Sequence, residues 1–192
     1  MFQADGLRQA LTALGTLLQD RTLAFEIVAI GGDIGGGLLL LGLIDRPTKD
    51  LDALAIVEND QYQLAKPMPS ELVEAIEDVA RVLGLADDWL NPGPTDQLKH
   101  GLPVGFRERT TRHEYGALVV HLAARYDQIC LKLDAAVDSG RQSTHVKDLI
   151  ALQPTDAELR DAADWVKKQD AGVDHPRFVD EVVAYIQASR GA

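Results

Sequence analysis

Only one cysteine occurs among the 192 residues, so an intrachain disulfide is excluded. Cys130 lies in the apolar segment "YDQICLKLDAAV", which predicts a small buried thiol and suits a reducing cytoplasm. Because 46% of the residues are hydrophobic, the chain has enough apolar side chains for a sizeable core without disulfide or metal staples. These features predict a single domain over residues 1–192.

Positive charge is also scarce, since 19 basic residues stand against 30 acidic ones and the formal net charge is −11. Such a chain repels a phosphate backbone unless its basic residues gather on one face, so DNA is not an expected partner. An export signal is missing too. A long apolar run is also missing, because residues 25–44 are interrupted by Glu26, Asp33 and several glycines. We therefore expect a soluble cytoplasmic protein that does not associate with membranes.

The pattern of apolar residues predicts an α/β fold of the α+β type, a mixed β-sheet with flanking helices and a helical C-terminal third. The sheet-containing core would span residues 1–122, and the helical part packed on it would span residues 123–192. The predicted strands are 25–30, 49–58 and the two runs "VGFRERTT" and "YGALVVHLA", and "DDWLNPGPTDQ" is predicted to be a loop. The predicted helices are 5–20, 34–44, 69–84, 125–138, 143–152, 155–169 and 176–189.

Asp50 and Asp52 flank Leu51 in a predicted strand, and the alternation of side chains puts both carboxylates on one face. Adjacent carboxylates repel each other unless a cation lies between them, and magnesium prefers one or two carboxylates together with substrate phosphates. The alternative is a pair of solvated residues at the start of a strand. Upstream, the Gly31-Gly32 turn is typical of a phosphate cradle, or of a tight turn that needs glycine only for its dihedral angles.

The string "AIGGDIGGGLLLLGLIDRPTKDLDALAIV" resembles the signature of the nucleotidyltransferase superfamily, a Gly-Gly or Gly-Ser turn followed by an Asp-x-Asp strand. Its Arg-x-Thr-x-Asp-x-Asp spacing is similar to that in the branch of AbiEii-like toxins and related bacterial proteins. The resemblance implies a magnesium site at Asp50 and Asp52. It also implies that a nucleoside triphosphate is bound near Gly31, Gly32, Asp33, Arg46 and Thr48.

A second block, "DQICLKLDAAVDSGRQSTHVKDLIAL", resembles the same branch, with a Lys-Leu-x-Ala helix followed by an arginine and a helix that carries a basic-Asp-Leu sequence. The resemblance implies that Lys132 contacts the triphosphate or assists the nucleophile, and that Asp148 orients groups at the same site. From the residues alone, Lys132 could instead extend past the edge of the core. Asp148 could equally pair with Lys147 or Arg141 at the surface.

Three features depart from the family pattern. Asp33 stands where many members have a small hydroxyl residue, and it would either repel a triphosphate or cap a helix. Gly35, Gly36 and Gly37 occupy the start of a predicted helix, at a cost of up to about 1 kcal/mol each relative to alanine. In place of a third carboxylate on a neighbouring strand there is His121, either a base or a hydrogen-bonded structural residue.

One basic neighbourhood is formed by Lys99, His100, Arg107, Arg109, Arg112 and His113. Alternation along a strand would put Arg107 and Arg109 on one face, where they could hold the phosphates of a nucleotide or of an RNA acceptor. The alternative is an edge strand that charge protects from pairing with other chains.

The leading hypothesis is a magnesium-dependent nucleotidyltransferase that moves a nucleotidyl group from a nucleoside triphosphate to a hydroxyl of RNA or protein. The resemblance implies a role in a toxin–antitoxin or phage-defence pair, with tRNA or a partner protein as the acceptor. The rival hypothesis is a nucleotidyltransferase-like domain without turnover that binds nucleotides or other proteins.

Overall fold

The computed structural model describes residues 1–31, 36–140 and 142–189, and the described residues form the α+β fold that the sequence predicts. The helices are α1 (Ala4–Asp20), α2 (Gly36–Leu40), α3 (Ser70–Leu83), α4 (Gln97–His100), α5 (Phe106–Arg109), α6 (Arg125–Ser139), α7 (Thr144–Leu152), α8 (Asp156–Val166) and α9 (His175–Ser189), with a 3-10 helix at Gly93–Asp96. The strands are β1 (Phe25–Ile30), β2 (Leu51–Glu58), β3 (Gln61–Leu64), β4 (Leu90–Asn91), β5 (Thr111–Tyr115) and β6 (Leu118–Leu122). Within these ranges no helix is both long enough and apolar enough to cross a membrane.

The strands form one mixed sheet in the order β3-β2-β1-β6-β5, and β4 pairs with the start of β2. Strand β1 is antiparallel to β2 and parallel to β6. The ends of β1 and β6 therefore lie beside the starts of β2 and β4, at an edge that we call the site edge. At this edge Ile30 of β1 lies opposite Asp52 of β2, which in turn lies opposite Asn91 of β4.

One face of the sheet is covered by α1 and α3, whose apolar residues recur at helical spacing. The fully buried leucines of α1 are Leu7, Leu11, Leu14 and Leu18. They pack in one cluster with Leu72 and Ile76 of α3 and with the sheet residues Ile27, Leu118 and Val120. This face is apolar throughout the cluster, so the polar residues at the start of β2 must project elsewhere.

The opposite face of the sheet is covered by α6, because Leu131 packs against Val28, Ile30 and Leu54. Helices α7, α8 and α9 then pack around α6 through a second apolar cluster, to which α2 contributes Leu38. The helical C-terminal third is thus attached to the sheet through α6. One consequence is that the residues around Leu131 lie close to the site edge.

The glycines at the start of the predicted helix 34–44 let α2 approach the ends of β1 and β2. A Cβ atom added at Gly36 would lie 2.3 Å from the carbonyl oxygen of Asp50, and one added at Gly37 would lie 2.6 Å from the carbonyl carbon of Ile30. Side chains larger than hydrogen do not fit at these positions, so close packing accounts for the two glycines. Gly35 lies outside the described residues.

Two sequence predictions need correction. The run "VGFRERTT" is not a strand, because Phe106–Arg109 form helix α5 after Gly105, which has a left-handed φ of 75°. Arg107 and Arg109 therefore do not alternate along a strand. The predicted loop "DDWLNPGPTDQ" contains strand β4 and the 3-10 helix. Strand β3, a four-residue edge strand with mostly exposed side chains, is not among the predicted strands.

Candidate functional site

A cavity of about 420 Å³ opens at the site edge. Asp52 lines it from β2, Asp50 lines it from the position directly before β2, Gly31 lines it from the position directly after β1, and Lys132 lines it from α6. The fold thus brings together four residues that the two sequence blocks singled out. Of the other expected nucleotide contacts in the glycine turn, Gly32 and Asp33 lie outside the described residues.

Asp50 and Asp52 face the same cavity, as alternation along a strand predicts. Asp52 is 5% exposed, and Gly93 lies beside it, since a Cβ atom added at Gly93 would be in van der Waals contact with Asp52 Oδ1 at 3.4 Å. Asp50 is held by Thr48, whose hydroxyl donates to the Asp50 carbonyl oxygen at 2.9 Å. Thr48 itself is fully buried and does not line the cavity, so it would act on a nucleotide only by positioning Asp50.

A buried ion cluster lies behind the carboxylates. Asp148 is fully buried, and its Oδ2 accepts a hydrogen bond from Lys132 Nζ at 2.6 Å while its Oδ1 accepts one from Arg46 Nε at 3.2 Å. Asp148 is therefore not a surface residue, which excludes the surface pair with Lys147, and Arg141, the other partner considered, lies outside the described residues. Lys132 is only 3% exposed, so its ammonium does not extend past the core into solvent.

Lys132 has a pKa below the ordinary lysine value, chiefly because burial disfavours the charged form. Asp148 opposes that effect most strongly, and Asp52 also raises the pKa. The Lys132 ammonium is thus stabilised electrostatically by the carboxylate of Asp52 as well as by that of Asp148. Arg46 acts in the other direction and lowers the Lys132 pKa, and it lines a separate groove beside Lys147 instead of the cavity.

The glycine turn is fixed by a side chain that the sequence analysis did not identify. The Gly31 N–H donates to Gln128 Oε1 at 2.8 Å, and Gln128 Nε2 donates to the Ala123 carbonyl oxygen at 3.3 Å. A Cβ atom added at Gly31 would lie 2.7 Å from Leu38 Cγ. Glycine is therefore required here by the approach of α2, and the Gly31 amide is engaged within the protein.

Gln128 and His145 also line the cavity, and helical spacing could have indicated both. Gln128 precedes Lys132 by four residues on α6, and His145 precedes Asp148 by three residues on α7. Residues at these spacings share one face of a helix. Asn91 and Gln97 come from the segment predicted to be a loop, where no periodicity indicates a direction.

The basic neighbourhood and His121 do not take part in the cavity lining. Arg107 forms an ion pair with Asp60, and Arg109 donates to the buried carboxylate of Asp127. His121 on β6 contacts Glu26 through its Nε2, so its structural alternative accounts for its position. Cys130 is fully buried, and burial raises its pKa to about 12, which agrees with a role as an apolar core residue.

The donor set of the cavity fits a hard divalent cation that also binds phosphates. Among the described residues, the lining has the four carboxylates Asp50, Asp52, Asp88 and Asp96 and the basic side chains Lys132 and His145. Within the described ranges no group of three or more histidine, cysteine or acidic side chains could hold a metal ion alone. Magnesium suits such a site, because it usually takes one or two protein carboxylates and completes its coordination with water and substrate phosphates.

Comparisons of the chain with models of known families, with curated proteins and with solved structures gave no match.

Proposed function

We propose that the protein is a magnesium-dependent nucleotidyltransferase that transfers a nucleotidyl group from a nucleoside triphosphate to a hydroxyl group of RNA or protein. The observation that carries the proposal is the convergence of Asp50, Asp52 and Lys132 on one cavity, with Asp148 fully buried behind Lys132. A role in a toxin–antitoxin or phage-defence pair, with tRNA or a partner protein as acceptor, is supported by the family resemblance alone.

In the proposed reaction the acceptor oxygen forms a bond to the α-phosphorus of the nucleotide. The bond between that phosphorus and the bridging oxygen breaks, and pyrophosphate leaves with the bonding electrons. The acceptor hydroxyl loses its proton to water. No oxidant or reductant is needed, and the products are the nucleotidylated acceptor, pyrophosphate and the proton taken up by water.

Five residues of the cavity and of the ion cluster behind it would take part in that reaction. Asp50 and Asp52 would hold a magnesium ion, which neutralises phosphate charge and lowers the pKa of the acceptor hydroxyl. Lys132 would donate to a phosphate oxygen that gains charge in the transition state. Asp148 would hold the Lys132 ammonium in place from behind, and Arg46 would in turn orient Asp148.

A nucleotide-binding module without turnover is the second candidate. The observation that favours it is the position of His121, which contacts Glu26 and does not line the cavity, on a strand that carries no carboxylate. The two candidates make the same prediction for magnesium and nucleotide binding. They differ only in whether an acceptor becomes labelled.

The deciding experiment incubates the protein with α-labelled ATP, GTP, CTP or UTP, magnesium, and total cellular RNA or protein extract. The enzyme hypothesis predicts a labelled product from the parent and at least about a hundredfold slower labelling by Lys132→Ala, with a smaller loss of nucleotide affinity. Binding without labelling would favour the module. Labelling that survives Lys132→Ala unchanged would contradict the role given to Lys132.

A further inference from the structure

Three side-chain amides line the cavity, and the protein uses two of them for its own hydrogen bonds. Asn91 Oδ1 accepts from the Gly93 N–H at 2.8 Å, and its Nδ2 donates to the Asp88 carbonyl oxygen at 3.4 Å. Gln128 is engaged at both ends by Gly31 and Ala123. Of the three amides, only that of Gln97 has a buried atom, Oε1, without a hydrogen-bond partner among the described residues.

The side-chain oxygen of Gln97 lies in a place where bulk water does not supply a hydrogen bond. This Oε1 is buried and has no donor among the described residues. A buried acceptor that has exchanged water for no partner destabilises the folded protein. Native proteins contain few such groups, and each needs an explanation, such as a role at a functional site or a bound water or ion that supplies the missing partner.

The surroundings of Gln97 indicate which part of a nucleotide would lie there. Two acidic residues of the cavity lining belong to the same segment of the chain as Gln97. Asp96 directly precedes Gln97, and Asp88 lies earlier in that segment. These carboxylates repel phosphate groups, whereas Lys132 lines the cavity from α6. If the triphosphate contacts Lys132, as the proposed function requires, the uncharged nucleoside would extend toward Gln97.

We propose that Gln97 determines nucleotide specificity by hydrogen bonding to the nucleoside part of the substrate, an inference that rests on the proposed nucleotidyltransferase function. A glutamine amide turns readily about its last torsion, so Oε1 can rotate to accept from the ligand while Nε2 donates. Such a paired donor and acceptor matches the edge of a nucleobase or a ribose hydroxyl.

The test measures dissociation constants of the magnesium complexes of ATP, GTP, CTP and UTP and of their 2′-deoxy forms. The variant is Gln97→Met, which keeps the length of the side chain and removes both polar ends. Gln63→Met is the matched control, because it is the same substitution at an exposed residue of strand β3. Melting temperatures of all free proteins are measured in parallel.

We expect Gln97→Met to bind the preferred nucleotide about three- to tenfold more weakly, as the loss of one hydrogen bond predicts. The melting temperature of the free variant should not fall, since an unpaired buried acceptor has been removed. Reduced discrimination among the four bases would assign the contact to the base. Reduced discrimination between ribose and deoxyribose forms would assign it to the sugar.

Unchanged affinity and unchanged discrimination in Gln97→Met would overturn this inference and leave the proposed function standing. A melting temperature well below those of the parent and the Gln63→Met control would also overturn it, because Gln97 would then be a structural residue. If the parent itself binds none of the nucleotides, the proposed function fails first and the inference fails with it.

Discussion

Replacing Asp148 by asparagine removes the negative charge of the buried cluster while keeping its volume. Asp148 is fully buried, and Lys132, its partner at 2.6 Å, is only 3% exposed. Removing one member of a buried ion pair typically costs about 3–5 kcal/mol, because the other charge stays buried without compensation. Arg46 has a side chain that is 38% exposed, so water can solvate it after the change. We therefore expect Asp148→Asn to lower the free energy of unfolding by roughly 3–5 kcal/mol at neutral pH.

The loss should depend on pH in a defined direction. Burial already lowers the Lys132 pKa below the ordinary value of 10.5, and Asp148 opposes this shift most strongly, so its removal lowers the pKa further. A lysine with a lower pKa in the folded state binds fewer protons there than in the unfolded state. The free energy of unfolding of the variant therefore rises with pH between the folded pKa and 10.5. The difference in the free energy of unfolding between the parent and Asp148→Asn should therefore become smaller as the pH rises.

Urea unfolding followed by far-ultraviolet circular dichroism at pH 7 and pH 9 measures both effects. The double variant Lys132→Met/Asp148→Asn should recover most of the lost stability, because it leaves no buried charge. Asp127→Asn is the control for function, since Asp127 is a fully buried carboxylate paired with Arg109 outside the cavity. It should destabilise the protein without weakening magnesium nucleotide binding, whereas Asp148→Asn should do both. A cost for Asp148→Asn below about 1 kcal/mol, typical of an exposed pair, would refute the reasoning.

Two further predictions concern the strand carboxylates and the packing of α2. Asp50→Asn and Asp52→Asn should each abolish the magnesium-dependent rise in melting temperature that a nucleoside triphosphate causes, because a ligand of the folded state stabilises it by mass action. A rise equal to the parent's in both variants would place the metal elsewhere. Gly37→Ala should lower the free energy of unfolding by about 1–3 kcal/mol through overpacking against Ile30, whereas Gly6→Ala on α1, where a Cβ atom meets its nearest neighbour at 3.7 Å, should raise it by up to about 1 kcal/mol. Equal unfolding energies for the two alanine variants, measured in urea, would show that α2 tolerates a side chain at its start.

The sequence predicts best those elements whose packing follows from the spacing of their own apolar residues. Helix α1 places its buried leucines on one face, and β1 and β2 are short, mostly apolar runs, so both kinds of element could be assigned from local patterns. The run "VGFRERTT" was assigned wrongly because its alternation is accidental. Its conformation depends on the left-handed Gly105 and on Arg109, which reaches Asp127 on α6. Contacts of that kind are not visible in a local pattern.

The same distinction applies to the site. Asp50 and Asp52 could be assigned to one face because strand geometry fixes their relation, and both do line the cavity. Gln128 was missed because its significance comes from Gly31, which lies 97 residues earlier in the chain. Gln97 gives no signal in the sequence, since its proposed role rests on a buried oxygen that has no hydrogen-bond partner among the described residues. Only a structure can show which polar groups remain without partners.

The acidic composition and the chemistry of the cavity are connected through electrostatics. Four carboxylates of the described residues line the cavity, and Lys132 shares its charge with Asp148. A triphosphate without a cation would therefore be repelled from Lys132. A magnesium ion held by Asp50 and Asp52, as we propose, would offset that repulsion, so metal and nucleotide are expected to bind cooperatively. By linkage, the nucleotide would raise the affinity for magnesium by the same factor, and the acidic lining would disfavour the nucleotide without its metal.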